Sequence, residues 1–170
     1  MKHLMLCVIA VGCTVVFGGN GSDAGTVTTT LPVHVTVAPQ CGISTNGIEF
    51  GVWTHQELVG KGTININCHH GIEYRVSLGA GAHYDSGIQA RQLSGPDSNR
   101  TLSYRLYQDA SLAIEWGDRG LTNSYPIGTS LRGVGTSTVQ PLTVYGKIPR
   151  SDHRLPPGSY SDTVLVTVQF

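Results

Sequence analysis

The sequence carries little charge, and the charges that it has are balanced. Only 13% of its 170 residues are charged, with 11 Lys and Arg against 11 Asp and Glu. A protein that binds nucleic acid or an anionic membrane surface needs a basic patch. The composition therefore predicts no nucleic-acid partner and no anionic membrane partner. A net charge of zero also leaves little repulsion between molecules, which favours a protein that associates.

Long apolar runs are missing apart from one, residues 4–17, close to the amino terminus. This run is too short to span a bilayer. A positive charge at Lys2 precedes it and small residues follow it, which is typical of a secretory signal peptide. We therefore predict a signal peptide over residues 1–24, no membrane insertion, and a mature chain that starts at Gly25.

Cysteine is scarce as well, since removal of the predicted signal peptide leaves only Cys41 and Cys68. An exported chain meets an oxidising compartment, which favours a disulfide between them. A metal site is the alternative, because His69 and His70 directly follow Cys68. Neighbouring residues of a strand point to opposite faces, however, so these three side chains converge poorly on one ion. We expect no metal.

Helical periodicity is absent, since no stretch repeats apolar residues at i, i+3 and i+4 over three turns. Segments of strand character instead follow one another between turn residues. The strand candidates are 26–38, 62–68, 72–78, 102–108, 112–116, 136–148 and 158–170. The turns at 69–71 and 109–111 predict two antiparallel hairpins. About seven strands in a chain of this length are typical of an immunoglobulin-like β-sandwich.

The last candidate strand alternates apolar and polar residues, which predicts one buried face and one wet face. Asp162 is the only charged residue on its apolar face. That face includes Val164, Val166, Val168 and Phe170. No turn or further strand follows in the sequence to cover this one, so we expect a bare groove beside it.

The first candidate strand is too long for a domain of this size. It alternates over about 40 Å at 3.3 Å per residue, about twice the common strand length. Its apolar parity includes Val27, Thr29, Leu31, Val33 and Val35. Pro32 interrupts it and must lie where the sheet needs no backbone N–H donor, because proline has none. We interpret the region as an extension, residues 25–35, followed by a true first strand that runs into Cys41.

These two features complement each other. If the spare strand of one molecule fills the bare groove of the next, the contact is heterologous and builds a filament. A disordered mature terminus is the alternative interpretation of the extension.

A series of motifs in the chain resembles the spore coat protein U domain family, which includes subunits of archaic chaperone–usher pili. The motifs are "INCHHGIEYRVSLGAG" (66–81), "RQL" (91–93), "LSYRLYQD" (102–109), "WGD" (116–118), "YGKIP" (145–149) and "PGSYSDTVLVTVQF" (157–170). Cys41 and the pair Phe50 and Gly51 precede them. The match covers nearly the whole mature chain.

The resemblance implies an incomplete immunoglobulin-like sandwich over residues 36–170 that lacks its last strand. A donor strand from a neighbouring subunit, carried by residues 25–35, would complete it. It also implies a periplasmic chaperone and an outer-membrane usher as partners, with export to the cell surface in a pilus or a spore coat. The implied disulfide joins Cys41 and Cys68. The implied donor residues are Val27, Thr29, Leu31, Val33 and Val35, and the implied groove residues are Val164, Val166, Val168 and Phe170.

Catalytic patterns are weak in the sequence. Asp109 and Asp118 form the one candidate acid–base pair, as in a glycosidase, but short acceptors of this kind more often cap turns. We therefore predict no enzyme activity and no cofactor. The alternative function is a monomeric secreted carbohydrate-binding or adhesion module. Trp53 is its candidate platform residue, whereas Trp116 ends an apolar alternation and is expected in the core.

Overall fold

The structure, a computed structural model, describes residues 26–97 and 99–170. Its strands are β1 (Cys41–Asn46), β2 (Leu58–Cys68), β3 (Glu73–Leu78), β4 (Tyr84–Asp85), β5 (Ala90–Ser94), β6 (Thr101–Tyr107), β7 (Trp116–Arg119), β8 (Leu131–Val134), β9 (Gln140–Ile148) and β10 (Val166–Gln169). These ranges contain no helix, and thus none long and apolar enough to cross a membrane. The all-β prediction is confirmed. The predicted signal peptide, 1–24, and Gly25 lie outside the described residues.

The strands form two antiparallel sheets. The larger has six strands in the order β1-β2-β9-β6-β5-β4, and the smaller has three in the order β10-β3-β8. β7 makes only isolated bridges. The apolar faces of both sheets contribute to one buried cluster. The architecture is that of an incomplete immunoglobulin-like sandwich, as expected.

Strand alternation decides which side chains enter this core. In β2, Ile64, Ile66 and Cys68 are buried, whereas Asn65 and Asn67 lie on the outer face. The same period of two recurs in β3 and β6. The buried apolar cluster comprises Ile64, Ile66, Cys68, Tyr74, Val76, Leu78, Leu102, Tyr104, Leu106, Trp116, Val144 and Ile148. Burial of each large apolar side chain stabilises the fold by roughly 1.5–3 kcal/mol.

One predicted hairpin is wrong and the other is short. β2 and β3 lie in different sheets, so the turn at 69–71 carries the chain across the sandwich rather than back along one sheet. The turn at 109–111 does close a small hairpin, in which the backbone N–H of Gln108 donates to the carbonyl of Ile114 at 2.9 Å. The predicted strand 112–116 is replaced by β7, which begins at Trp116.

The prediction of a strand that runs into Cys41 is also wrong, because β1 begins at Cys41 and residues 26–40 form no strand. A strand needs a partner edge, and no described strand pairs with these residues. The chain divides into two compact units, Met1–Thr36 and Val37–Phe170. The described part of the first, 26–36, has exposed side chains and no regular secondary structure. The boundaries 25–35 and 36–170 stay predictions.

Candidate functional site

β10 is an edge strand whose outer main-chain groups face no described strand. The backbone N–H of Gly79 donates to the carbonyl of Leu165 at 2.9 Å, so Leu165 points its main chain toward the β3 side. Successive residues of an antiparallel strand point their main-chain groups to opposite sides. The N–H and C=O groups of Val164, Val166 and Val168 therefore point toward the outer edge.

The side chains of this segment alternate between exposed and half-buried over residues 161–166, but in β10 Thr167 is half-buried like its neighbours. Val164, Val166 and Val168 are half-buried and pack against the core cluster, whereas Leu165 is 70% exposed. Phe170, the fourth predicted groove residue, is 56% exposed. An apolar face with open main-chain groups at its edge is the feature that a further strand needs in order to add to a sheet.

A groove made of two adjoining cavities begins beside Val164 and Val166, whereas Val168 and Phe170 line neither cavity. The smaller cavity has a volume of about 190 Å³, and Val164 and Val166 line it together with Thr45 and Asn46 of β1. The larger has a volume of about 950 Å³ and continues past Trp53. The two cavities share the lining residues Gly47, Ile48, Phe50, Leu93 and Asp162. We refer to both cavities together as the groove.

Ile48 and Phe50 form part of the groove wall, and glycines of the larger sheet make room for them. A Cβ added at Gly60 or Gly62 of β2 would lie 2.7 Å from the Ile48 side chain. A Cβ at Gly146 of β9 would lie 2.6 Å from Cζ of Phe50. Real Cβ atoms do not approach other atoms this closely, so the segment of Ile48 and Phe50 packs on the sheet only because these positions lack a side chain.

Asp162 lies where the two cavities meet, and its side chain is only 1% exposed. Its Oδ2 accepts a hydrogen bond from the hydroxyl of Tyr104 at 2.7 Å. Its Oδ1 accepts from the backbone N–H groups of Ala82 at 2.9 Å and His83 at 3.2 Å, and lies 3.1 Å from Nδ1 of His83. Burial, reinforced by the bond to Asp162, raises the pKa of Tyr104 far above its ordinary range, so this hydroxyl stays a donor.

The predicted donor residues lie in the part of the chain that has no regular structure. The exposed fractions of Val27, Leu31, Val33 and Val35 range from 84% to 96%, and Thr29 is exposed too. Four large apolar side chains therefore lie in water at alternate positions. Scattered exposed apolar residues are ordinary, but a run of them at strand period is typical of a segment that binds elsewhere.

Cys41 and Cys68 are joined by a disulfide, with their Cα atoms 4.1 Å apart. Cys41 is the first residue of β1 and pairs directly with Cys68, the last residue of β2. The disulfide thus fixes the chain at the point where the apolar extension leaves the sandwich. Cys68 is fully buried and is not available as a metal ligand.

The other residues that the sequence singles out have structural roles. Asp109 accepts from the backbone N–H of Ile114 at 2.7 Å, and Asp118 accepts from those of Ser124 and Tyr125 at 2.7 and 2.6 Å. Each carboxylate therefore caps its own turn. In the ranges 26–97 and 99–170, no three His, Cys, Asp or Glu side chains are grouped as metal ligands.

The two tryptophans differ in environment. Trp116 is fully buried, as predicted, and its Nε1 donates to the carbonyl of Val76 at 3.0 Å. Trp53 is half-buried against the core and lines the larger cavity. Its ring centroid lies 4.6 Å from that of His55. Trp53 is therefore a wall residue of the groove rather than an isolated surface platform.

Arg91 is a structural residue that sequence reasoning does not identify, although it lies in one of the quoted motifs. It is fully buried, and its guanidinium donates to the carbonyls of Gly79 at 2.8 Å, Leu78 at 2.9 Å and Trp116 at 3.0 Å. The guanidinium also stacks 3.8 Å above the ring of Tyr125. Arg91 therefore holds the end of β3, the strand on which β10 lies.

Comparison with known proteins agrees with this architecture. The sequence pattern of the Spore Coat Protein U domain matches residues 26–167. Protein U of Myxococcus xanthus is 28% identical over 186 aligned residues, which cover 100% of this chain and 98% of that protein.

A solved structure is similar in fold as well. It is the CsuC–CsuE chaperone–tip adhesion subunit pre-assembly complex from the archaic chaperone–usher Csu pili of Acinetobacter baumannii. The TM-score is 0.58 at 26% identity, over 79% of this chain. The match spans only 40% of the matched chain in that complex.

Proposed function

Because this chain belongs to the Spore Coat Protein U domain family, we propose that it is an exported structural subunit that polymerises by donor-strand exchange. The extension 25–35 of one molecule inserts into the groove of the next. The observation that carries the proposal is the outer edge of β10, which pairs with no described strand and lies beside a groove lined in part by apolar side chains, in a chain whose extension exposes apolar side chains at strand period.

The edge of β10 supplies the main-chain part of the contact. The outward N–H and C=O groups of Val164, Val166 and Val168 can form backbone hydrogen bonds with an incoming strand. Each net hydrogen bond contributes roughly 0.5–1.5 kcal/mol. These groups are already ordered by the pairing of β10 with β3, so the receiving side loses little conformational entropy when the new strand adds.

The alternation of the extension supplies the side-chain part. Residues 27–35 span roughly 30 Å when extended, which is long enough to run beside β10 and the segment before it. Val27, Leu31, Val33 and Val35 then face the groove together. Transfer of each of these side chains from water contributes roughly 1.5–3 kcal/mol. Pro32 belongs to the opposite parity, so its ring stays out of the groove.

The product of this contact is an open polymer. The donor and the groove are different surfaces of one chain, so each added subunit leaves a new unfilled groove or a new free extension at the end. We propose that the polymer is a pilus or a coat layer at the cell surface, and that the subunit has neither a catalytic site nor a cofactor.

A subunit with an open groove needs protection before assembly, because an exposed strand edge promotes aggregation. We propose that a periplasmic chaperone covers the groove and that an outer-membrane usher exchanges it for a neighbour's extension. The similarity to the CsuC–CsuE complex, in which a chaperone is bound to a pilus subunit before assembly, supports the chaperone step.

The test is a denaturing gel of the mature protein, with unheated and boiled samples side by side. We expect an unheated ladder that collapses to monomer on boiling, because a strand locked in a neighbour's core dissociates slowly. Deletion of residues 25–35 should remove the ladder, and added peptide of that sequence should bind to the deleted chain.

A ladder that survives the deletion would refute the assignment of the donor. A monomer that needs no partner would favour the carbohydrate-binding alternative, in which Trp53 lines a ligand cavity instead of a strand groove.

A further inference from the structure

The segment before β10 passes from one sheet of the sandwich to the other. The backbone of Ser161 exchanges hydrogen bonds of 2.9 and 3.0 Å with Ser94 of β5, in the larger sheet. Two residues later, the carbonyl of Thr163 accepts from Ala82, in the loop that follows β3 of the smaller sheet, at 3.0 Å. Asp162 therefore lies at the corner where the two sheets meet.

The carboxylate of Asp162 binds to the larger sheet and to the loop 79–83, which joins the two sheets. Its Oδ2 accepts a hydrogen bond from the hydroxyl of Tyr104, which belongs to β6 in the larger sheet. Its Oδ1 accepts hydrogen bonds from the backbone N–H groups of Ala82 and His83, in the loop that leaves β3 of the smaller sheet and leads to β4 of the larger one. We call this arrangement the Tyr104–Asp162 clamp. Hydrogen bonds to an ionised acceptor are shorter and stronger than neutral ones.

An empty groove in an incomplete sandwich has a tendency to close. Its walls carry apolar side chains, among them Ile48, Phe50 and Val164, and contact between these side chains would remove apolar surface from water. Closure would bury the very surface that an incoming strand must occupy. Something in the fold must therefore hold the walls apart at the spacing of a missing strand, and the clamp has the right position because both of its residues line the smaller cavity.

We propose that the Tyr104–Asp162 clamp is a positioning device that holds the two sheets at the separation an incoming strand requires. The proposal rests on the proposed strand exchange. Asp162 would not bind the strand by its own charge. It would instead keep the groove preformed, which lowers the cost of ordering on association. A purely structural role would affect the stability of the fold but not the rate at which a strand enters.

Tyr125 offers a matched control. It is fully buried, and its hydroxyl also donates to a carboxylate, that of Glu115. Neither Tyr125 nor Glu115 lines either cavity of the groove. Tyr104→Phe and Tyr125→Phe therefore remove the same atom and the same kind of bond, one inside the groove and one outside it.

The test uses the full chain with its own extension disabled by Leu31→Asp and Val33→Asp, so that the groove is empty. A fluorescent peptide of residues 26–36 is added, and its association rate is followed by anisotropy. We expect Tyr104→Phe to slow association by about tenfold or more, and Tyr125→Phe to change it by less than about twofold. Both should lower the urea midpoint to a similar degree. Equal association rates would overturn the proposal.

A second readout does not depend on strand binding. Spin labels at Ser44 of β1 and at Leu165, both exposed, report the separation of the two sheets by pulsed electron resonance. We expect one narrow distance in the parent and in Tyr125→Phe, and a shorter or broader distribution in Tyr104→Phe.

The two readouts separate failure of the clamp from failure of the proposed function. If the parent chain takes up no peptide, donor-strand exchange fails, and the spin-label distances still decide the clamp. An unchanged distribution in Tyr104→Phe would overturn it. So would a Tyr104→Phe chain that does not fold while Tyr125→Phe does, because the bond would then be a requirement of the fold.

Discussion

A charge placed on the inner face of the extension should abolish assembly, whereas the same charge on the outer face should not. Val33 is 85% exposed in the isolated subunit and belongs to the parity that faces the groove in the proposed polymer. His34, its neighbour, belongs to the opposite parity. The informative pair of variants is therefore Val33→Asp and His34→Asp.

The magnitude follows from what the inserted side chain loses. Burial of valine is worth roughly 1.5–3 kcal/mol, which is about 10- to 100-fold in the binding constant. A carboxylate at the same position would also have to leave water without a partner, at a further cost of several kcal/mol. The association constant between subunits of the Val33→Asp variant should therefore be at least about a thousandfold lower than that of the parent. His34→Asp should change it by less than about tenfold.

The assay is the unheated gel ladder, quantified at several protein concentrations, with the urea midpoint of each variant as a check on folding. As monomers, both variants should keep the midpoint of the parental monomer, because within one subunit residues 26–36 contribute no buried side chains. If Val33→Asp and His34→Asp weaken the ladder equally, the alternation argument is wrong and the extension does not insert as a strand.

Three further predictions concern the sandwich itself. Replacing Cys41 and Cys68 together with Ser should lower the free energy of unfolding by about 3–4 kcal/mol on the chain-entropy model, as read from urea melts. Gly146→Ala should cost about 1–3 kcal/mol in the same assay, since its Cβ would meet Phe50 at 2.6 Å. Burial alone would raise the pKa of Asp118, but hydrogen bonds from its own loop outweigh burial and hold it below 3.8. The stability that it contributes is present above the unfolded value and is lost as the pH falls through the lowered one. The urea midpoint of the parent should therefore decrease when the pH is lowered below about 4. The midpoint of Asp118→Asn should be lower than that of the parent at neutral pH and should change less as the pH falls.

Controls for these measurements come from the same chain. A Cβ at Gly47 meets no atom within 4 Å, so Gly47→Ala should change the free energy of unfolding by less than about 0.5 kcal/mol. A reducing agent should lower the free energy of unfolding of the parent but not that of the double Ser variant. Equal acid dependence in Asp118→Asn and the parent would contradict the role given to that carboxylate.

The features that the sequence predicted well are local ones. A period of two along Val164, Val166 and Val168 follows from strand geometry alone, whatever the partner strand is. The assignment of β2 and β3 to one hairpin failed because alternation tells which face of a strand is buried but not which sheet the strand joins. The chain crosses between sheets at the turn 69–71, and turn residues are the same for both outcomes.

The parts of the groove that sequence reasoning missed depend on distant residues. Asp162 stands out in the sequence as the only charge on an apolar face, yet its partner Tyr104 is 58 residues away. Gly60 and Gly146 resemble turn or bulge glycines, whereas the structure uses them to accept Ile48 and Phe50. A glycine that makes room for a distant side chain cannot be identified from its neighbours in the sequence, because the side chain that packs on it comes from another segment.

The position of the disulfide determines how the subunit bears tension. Cys41 is the first residue of β1, and it is bonded to its direct partner Cys68, the last residue of β2. A pull on the chain ahead of Cys41 therefore reaches β2 directly and does not have to pass along β1. Without the bond, β1 would peel away one hydrogen bond at a time, beginning at its first residue. With it, the load passes to a strand held on both sides, by β1 and by β9, which must be sheared along its whole length.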